Sequence, residues 1–329
     1  MTAANIHYKN ITTPPSPLHG MPKLGKFLNI DLRTKRDDLL PISGGGNKLR
    51  KAIRIFHEAN DLCCDAVVTT GGIQSNHARV VALLAARYGW RCKLILHGSP
   101  SELRHPSCNT YLMHLAGADI TVVNPERIAA TMAQAMQEFR NKGYKPFEIP
   151  GGGHSIEGAM AYVEAIKELE DQCQSDRWRP EWIILASGTG ATQAGVVVGL
   201  ELIGWKARVV GVSVARKHDR GTGVIEQSCS DLRQYLTLEG TGEQPVDFRD
   251  DWVGEGYEKA GEDVFEAIRI AARMEGIILD PTYTGKALCA LMDLVASGDI
   301  SKGAKVLFWH TGGLLNLLAS HYSRDIIQL

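Results

Sequence analysis

Short apolar runs alternate along this chain with segments of helical periodicity, and nearly every run ends in glycines or small polar residues. DAVVTTGG (65–72), RCKLILHG (91–98), FEIPGGG (147–153), WIILASG (182–188), ARVVGVSV (207–214) and AKVLFWHTGG (304–313) all have this form. Between them lie segments such as SNHARVVALLAARYG (75–89), with Ser75 or Asn76 as its cap, and a helix capped by Asn47 with Leu49, Ala52, Ile53 and Phe56 on one face. Uninterrupted apolar strands separated by helices predict an α/β fold with parallel sheets covered on both faces. In such sheets ligands sit at the carboxyl ends of the strands. The glycine-rich loops are therefore the places to look for chemistry.

The rest of the chain narrows the class. The Pro-rich stretch TTPPSPLHGMP (12–22) reads as an extended lead-in, and the charged segment KELEDQCQSDRWRPEW (167–182) separates two halves. Lys plus Arg number 36 against 37 Asp plus Glu, which leaves no basic surface to expect for nucleic acid or an anionic membrane. No long uncharged apolar run suggests a membrane span, and the opening residues lack the layout of a secretory signal. Seven scattered cysteines, an odd number, fit a reducing cytoplasm rather than a disulfide framework. His97, His105, Cys108 and His114 have no metal-ligand spacing, so no metal is expected.

Four stretches can carry chemistry. SGGGNKLRK (43–51) puts Lys48 in the first turn of a helix and Lys51 one turn further on the same face. A helix N-terminus depresses a nearby lysine pKa, and a neutral lysine beside a phosphate-sized cavity is what imine chemistry needs. TTGGIQSNHAR (69–79) presents Gln74, Ser75, Asn76 and His77 at a helix start, where backbone N–H groups attract a carboxylate. SGTGATQAG (187–195) is a phosphate cradle by composition. It departs from the dinucleotide fingerprint, because Gln193 replaces the third small residue and Arg216 and Lys217 stand where an acid is needed. LDPTYTGKA (279–287) and HTGG (310–313) offer Tyr283 and His310 as acid–base candidates, and Thr284 and Thr311 as neutral hydrogen-bonders.

Together, and in this order, these stretches resemble the D-cysteine desulfhydrase and 1-aminocyclopropane-1-carboxylate deaminase family. Its members are fold type II pyridoxal-phosphate enzymes akin to the tryptophan synthase β subunit. The resemblance implies two parallel-sheet α/β domains with the cofactor in the cleft between them. The expected division is 1–50 plus 154–329 for the large cofactor-binding domain and 51–153 for the small one. It implies a covalent link from Lys48 to the cofactor, with Lys51 near the phosphate. Gly188, Thr189, Gly190, Ala191 and Thr192 would cradle that phosphate. Ser75 and Asn76 would hold the substrate carboxylate and the ring hydroxyl, with Gln74 and His77 beside them. Tyr283 would line the substrate side of the ring. A second active-site tyrosine is expected from a GYG-like stretch, and the nearest match, GEGYEKAGE (254–262), points to Tyr257 with Glu258 in the place of the glycine.

Two positions separate the branches. The deaminases carry Glu and Leu where this chain has Thr284 and Thr311, and the desulfhydrase branch has threonine at both. The expectation is a β-lyase, with Lys48 as the base, acting on D-cysteine to yield pyruvate, ammonia and hydrogen sulfide. L-cysteate or another β-substituted alanine, and 1-aminocyclopropane-1-carboxylate, stand as alternatives. The resemblance also implies a homodimer that meets only a small-molecule amino-acid substrate. A nicotinamide oxidoreductase using SGTGATQAG would leave the lysine loop without a role, and a cofactor-binding protein without activity is the last alternative.

Overall fold

The computed structural model describes residues 11–238, 244–319 and 321–327. Two sheets organise them. The larger has strand order β1-β2-β10-β7-β8-β9, with β1 Leu18–Gly20, β2 Asp31–Arg36, β7 Trp182–Ser187, β8 Arg208–Ser213, β9 Asp247–Arg249 and β10 Lys305–His310. Only the edge strand β1 runs antiparallel. The smaller has order β5-β4-β3-β6, with β3 Ala66–Gly72, β4 Arg91–His97, β5 Asp119–Val122 and β6 Pro146–Ile149, all parallel. The first part of the segment between the halves, 167–176, is the end of a helix, Ile156–Asp176, and the rest is the short turn into β7.

Strand residues alternate between two covered faces, as a two-sided sheet requires. In the small sheet Val67, Leu94 and Leu96 face the helices Asn47–Asp61 and Asn76–Tyr88, while Val68 and Ile95 face Met132, Ala135 and Met136 of the helix Ile128–Asn141. In the large sheet Ile183, Leu185, Leu307 and Trp309 pack on one side. Ile184, Ala186, Val306 and Phe308 pack on the other.

One buried polar cluster ties the chain together behind the large sheet. Asp37, fully buried, accepts from Ser16 Oγ (2.8 Å), Arg50 Nε (2.9 Å), Tyr162 OH (2.6 Å) and Trp309 Nε1 (2.9 Å). Arg50 also donates twice to Glu168, at 2.8 Å each, and Lys35 donates to the same carboxylate. Two cations thus face two carboxylates. The Arg50 charge and these donors hold the Asp37 carboxyl below the ordinary carboxylate range despite its burial.

The helix starts follow the sequence with one difference. Ser75 and Ser155 are N-caps, accepting from Ala78 N (3.2 Å) and Gly158 N (3.1 Å). Asn47 is not a cap. Gly46 takes that position, and the Asn47 amide reaches across to Thr192 Oγ1 at 3.2 Å.

Candidate active site

The carboxyl ends of β3, β7 and β10 converge on an open cleft, about 360 Å³ with its mouth to solvent included, whose walls include Asn47, Lys48, Asn76, Gly188, Tyr283 and Thr311. Each wall comes from a loop that follows a strand or opens a helix.

Lys48 and Lys51 lie one turn apart, and both donate to a single carbonyl, Gly152 O, at 3.2 and 3.3 Å. That carbonyl is turned inward by a left-handed backbone at Gly152 (φ +70°). A Cβ there would come within 2.8 Å of Thr189 Cγ2 and 3.4 Å of Lys48 Nζ, so glycine is required. Burial brings Lys48 down to about 8. Lys51 falls well below the lysine range through burial and then the charge of Lys48. No carboxylate pairs with either amine among the described residues.

The loop 188–190 closes the same end. Gly190 (φ +99°) caps the helix Ala191–Leu202, whose first-turn amides have no intrahelical acceptors. Thr189 Oγ1 is buried without a hydrogen-bond partner, and Thr189 O accepts from Arg216 Nη1 at 2.8 Å. Thr192 Oγ1 receives the Asn47 amide. His154, next after the 151–153 glycines, is lowered to about 4 by burial and by the charges of Lys51, Arg216 and Lys48. Gln193 turns away to bond Asp247 O at 2.8 Å, so the residue that spoils the dinucleotide fingerprint braces the edge strand β9.

Opposite this end, Ser75 accepts the capping N–H, which leaves its hydroxyl hydrogen free for a ligand. Asn76 Oδ1 accepts from Arg79 Nη1 and Asn109 Nδ2, both at 3.1 Å, while its Nδ2 donates to Asn316 Oδ1. Gln74 Oε1 accepts from Asn109 N at 3.1 Å and thus supports the wall. His77 is buried below the wall. The Thr69 hydroxyl donates to Ile149 O (2.7 Å) and so must accept from His77 Nε2 (2.9 Å). Burial and the charges of Lys48 and Lys51 keep this ring neutral.

Tyr283 and Tyr257 meet hydroxyl to hydroxyl, with rings 6.1 Å apart at 72°. Burial lifts the Tyr283 hydroxyl well above its usual value, so it stays protonated. Glu258, in the place of the expected glycine, adopts the left-handed φ of +60° that glycine would take freely.

The structure corrects two sequence expectations. Thr284 does not reach the cavity wall: fully buried, it donates to Asp280 Oδ1 (2.8 Å) and accepts from Asp280 N (3.0 Å). His310 is no acid–base group. Its Nδ1 accepts from Gly312 N (3.2 Å), its Nε2–H donates to Ile278 O (2.9 Å), and burial keeps it neutral. Thr311 does line the cavity.

Sequence reasoning missed several residues that shape the site. Asp280 accepts the backbone N–H groups of Thr282, Tyr283 and Thr284 at 2.9–3.0 Å and faces Gly313, where a Cβ would lie 2.2 Å from Oδ1. It holds the tyrosine loop and the terminal glycine loop in one place. Its proximity to Tyr283 in LDPTYTGKA was the available signal. Arg79, one turn beyond Asn76, could have been found by helical spacing and Arg216 by its place just after β8, whereas Asn109 and Asn316 had no local signal.

The site therefore offers a neutralisable lysine, an end rich in cations and free amides, and an opposite wall of neutral hydrogen-bond donors. Such an arrangement accepts an anionic, phosphate-sized group beside a nucleophilic amine. Comparison with known proteins agrees. A D-cysteine desulfhydrase of Klebsiella pneumoniae is 34% identical over 311 residues, covering 93% of this chain and 94% of that protein. A solved structure described as an ACC deaminase homologue superposes with a TM-score of 0.87 at 31% identity, covering 97% of this chain and 95% of its own. A processed threonine deaminase isoform of Solanum lycopersicum, 15% identical, shares the fold with a TM-score of 0.67, over 96% of this chain and 89% of its own. Residues 11–312 match the family model described as pyridoxal-phosphate dependent enzyme, and the chain belongs to that family.

Proposed function

We propose that the protein eliminates the β substituent of a β-substituted alanine, with D-cysteine as the first substrate, yielding pyruvate, ammonia and hydrogen sulfide. The observation that carries this reading is the pair Lys48 and Lys51 on one carbonyl, unpaired by any carboxylate among the described residues, together with the 34% identical desulfhydrase. Pyridoxal phosphate, the family's cofactor, supplies an electron-withdrawing ring that acidifies the substrate Cα–H. The residues fit it. The orphan Thr189 hydroxyl, the first-turn amides of 191–193 and Lys51 would hold the phosphate. Lys48, at about 8, would exchange a proton at Nζ near neutral pH. The Ser75 hydroxyl would orient the substrate carboxylate, and the Tyr257–Tyr283 pair would keep a proton beside the departing group. Thr311 is the uncharged hydrogen-bonder that we assign to the ring nitrogen.

The ACC deaminase homologue favours a second reading, deamination of 1-aminocyclopropane-1-carboxylate. Thr284 and Thr311 disfavour it, since they stand where the deaminases carry Glu and Leu. Adding D-cysteine to the purified, cofactor-loaded protein tests the choice: sulfide and pyruvate should appear together. Release of 2-oxobutyrate from the cyclopropane substrate, without sulfide from D-cysteine, would reverse it.

The same reading keeps the division into 1–50 with 154–329 and 51–153. It is supported by two sheets that draw their strands from either side of those limits. It includes a homodimer. The exposed Tyr111 and Leu115 on one helix and Leu314 and Leu318 on its neighbour provide apolar surface for such a contact. Seven free cysteines support a reducing, cytoplasmic setting. Among the described residues no helix is long and apolar enough to cross a membrane.

A further inference from the structure

Arg79 is 3% exposed, yet among the described residues no carboxylate faces it. Its partners are three neutral oxygens: Asn76 Oδ1 at 3.1 Å, Asn109 Oδ1 at 2.9 Å and Gly45 O at 3.4 Å. Its Nε has no partner at all. A buried charge without a counter-charge is heavily penalised unless something compensates it. Burial alone brings this guanidinium down to about 10, with no anion to oppose the effect. It still carries its charge at neutral pH.

The contacts of Arg79 also decide how Asn76 is presented. A guanidinium can only donate, so Asn76 Oδ1 and Asn109 Oδ1 must be acceptors. The Asn76 NH2 group is thereby turned the other way. One of its hydrogens serves Asn316 Oδ1, and the other is left for the cavity that Asn76 lines. Asn109 strengthens the arrangement by donating to Asn76 Oδ1 and to Gln74 O, at 3.1 and 2.9 Å. A cation behind an amide oxygen polarises the amide and makes its N–H a stronger donor.

We infer that Arg79 is a positioning residue that aims a polarised Asn76 N–H at an oxyanion of the bound ligand, and that this oxyanion is the missing counter-charge. The inference rests on the cofactor-dependent lyase reading above. Two oxyanions are available to such a site: the phenolic oxygen of the cofactor ring and the carboxylate of the amino acid. Both are recognised by the same chemistry, and affinity separates them.

The experiment measures binding rather than turnover. Wild type, Arg79→Gln and Arg79→Lys are each titrated with pyridoxal phosphate and with its 3-O-methyl ether. The loaded proteins are then titrated with D-alanine and with D-alaninamide, which lack a leaving group. If the ring oxygen is the partner, wild type prefers pyridoxal phosphate over the ether about tenfold or more, and Arg79→Gln loses that preference. If the carboxylate is the partner, cofactor affinity is unchanged, and the preference for D-alanine over its amide falls by about tenfold. Arg79→Lys, which keeps the charge, should retain part of either preference. A purely structural role would weaken each ligand and its neutral analogue alike. Equal preferences in wild type and Arg79→Gln would overturn the inference. Should Arg79→Gln fail to fold, wild type that binds each ligand and its neutral analogue equally would overturn it as well. Failure of wild type to develop a lysine-linked cofactor band would instead count against the function proposed above.

Discussion

Two sets of buried cations sit within a few turns of each other in this molecule and are treated in opposite ways. Behind the large sheet, Lys35 and Arg50 meet Glu168 and Asp37 with every donor nitrogen partnered. In and behind the cleft wall, Lys48, Lys51 and Arg79 meet only neutral oxygens among the described residues. Arg50 and Lys51 are adjacent in sequence, on one helix, and point to these two environments. The scaffold pairs its charges internally because breaking such a pair is costly once both partners are buried. The cleft leaves its charges open, and on the function proposed above a ligand carrying a phosphate and a carboxylate would complete them. Among these five cations the paired ones belong to the frame and the unpaired ones line or back the cleft, while Lys286, fully buried and held by the carbonyls Val253 O and Gly256 O, braces the segment before Tyr257.

That contrast can be broken or sharpened by substitution. Lys48→Ala should show the largest effect: turnover falls by roughly a thousandfold or more, and the lysine-linked visible band is lost. Full turnover in that variant would remove Lys48 from the chemistry. Asp37→Asn should act only on the frame. Taking one carboxylate from the paired set should lower unfolding free energy by about 3–5 kcal/mol, read from the urea midpoint, with cofactor affinity of the folded protein little changed. The Asp37 contribution also has a sign with pH. Its folded pKa is depressed, so its stabilisation is present above the unfolded carboxylate value and disappears as pH falls through the lower folded value.

Lys51→Met should do the reverse. Cofactor affinity should fall about 10–100-fold, measured by titration, because a charge-assisted contact to phosphate is lost. The cofactor-free protein should be no less stable, and a lower melting temperature would mean that Lys51 supports the frame. The pH dependence of the cofactor-free protein follows from Lys48, whose pKa is about 8 folded against an ordinary 10.5. The penalty for burying its charge is complete below about pH 8 and is relieved as pH rises towards 10.5. Stability should therefore climb across that window, whereas the cofactor-loaded protein should not share the rise. The smallest effect belongs to Glu258→Gly. Relief of the left-handed backbone should stabilise by about 1 kcal/mol or less, since glycine's entropy offsets part of it, and a thermal melt reads the change.

Sequence alone determined more here than the secondary elements. The alternation of apolar runs and helices specified parallel, two-sided sheets, because each run had to be covered on both faces. Helical spacing placed Lys48 and Lys51 on one face, and both reach one carbonyl. Ser75 took its cap as its residue type requires, and the glycine loops fell after strands, where backbone amides are free. These features depend on neighbours within a turn or two, which periodicity reports directly.

Only the tertiary structure decided where the charges found partners. Nothing local distinguishes Arg50 from Lys51 or Arg79. Which of them meets a carboxylate depends on Glu168, more than a hundred residues away, and on Asp37 packed under Trp309. The direction of Thr284 depended on Asp280 folding back within its own loop, and that of Asn76 on Asn109 and Asn316 arriving from other elements. Spacing along a helix tells which side a residue faces. Whether a buried cation is satisfied or left open is a property of contacts between distant segments, and here it separates the frame from the site.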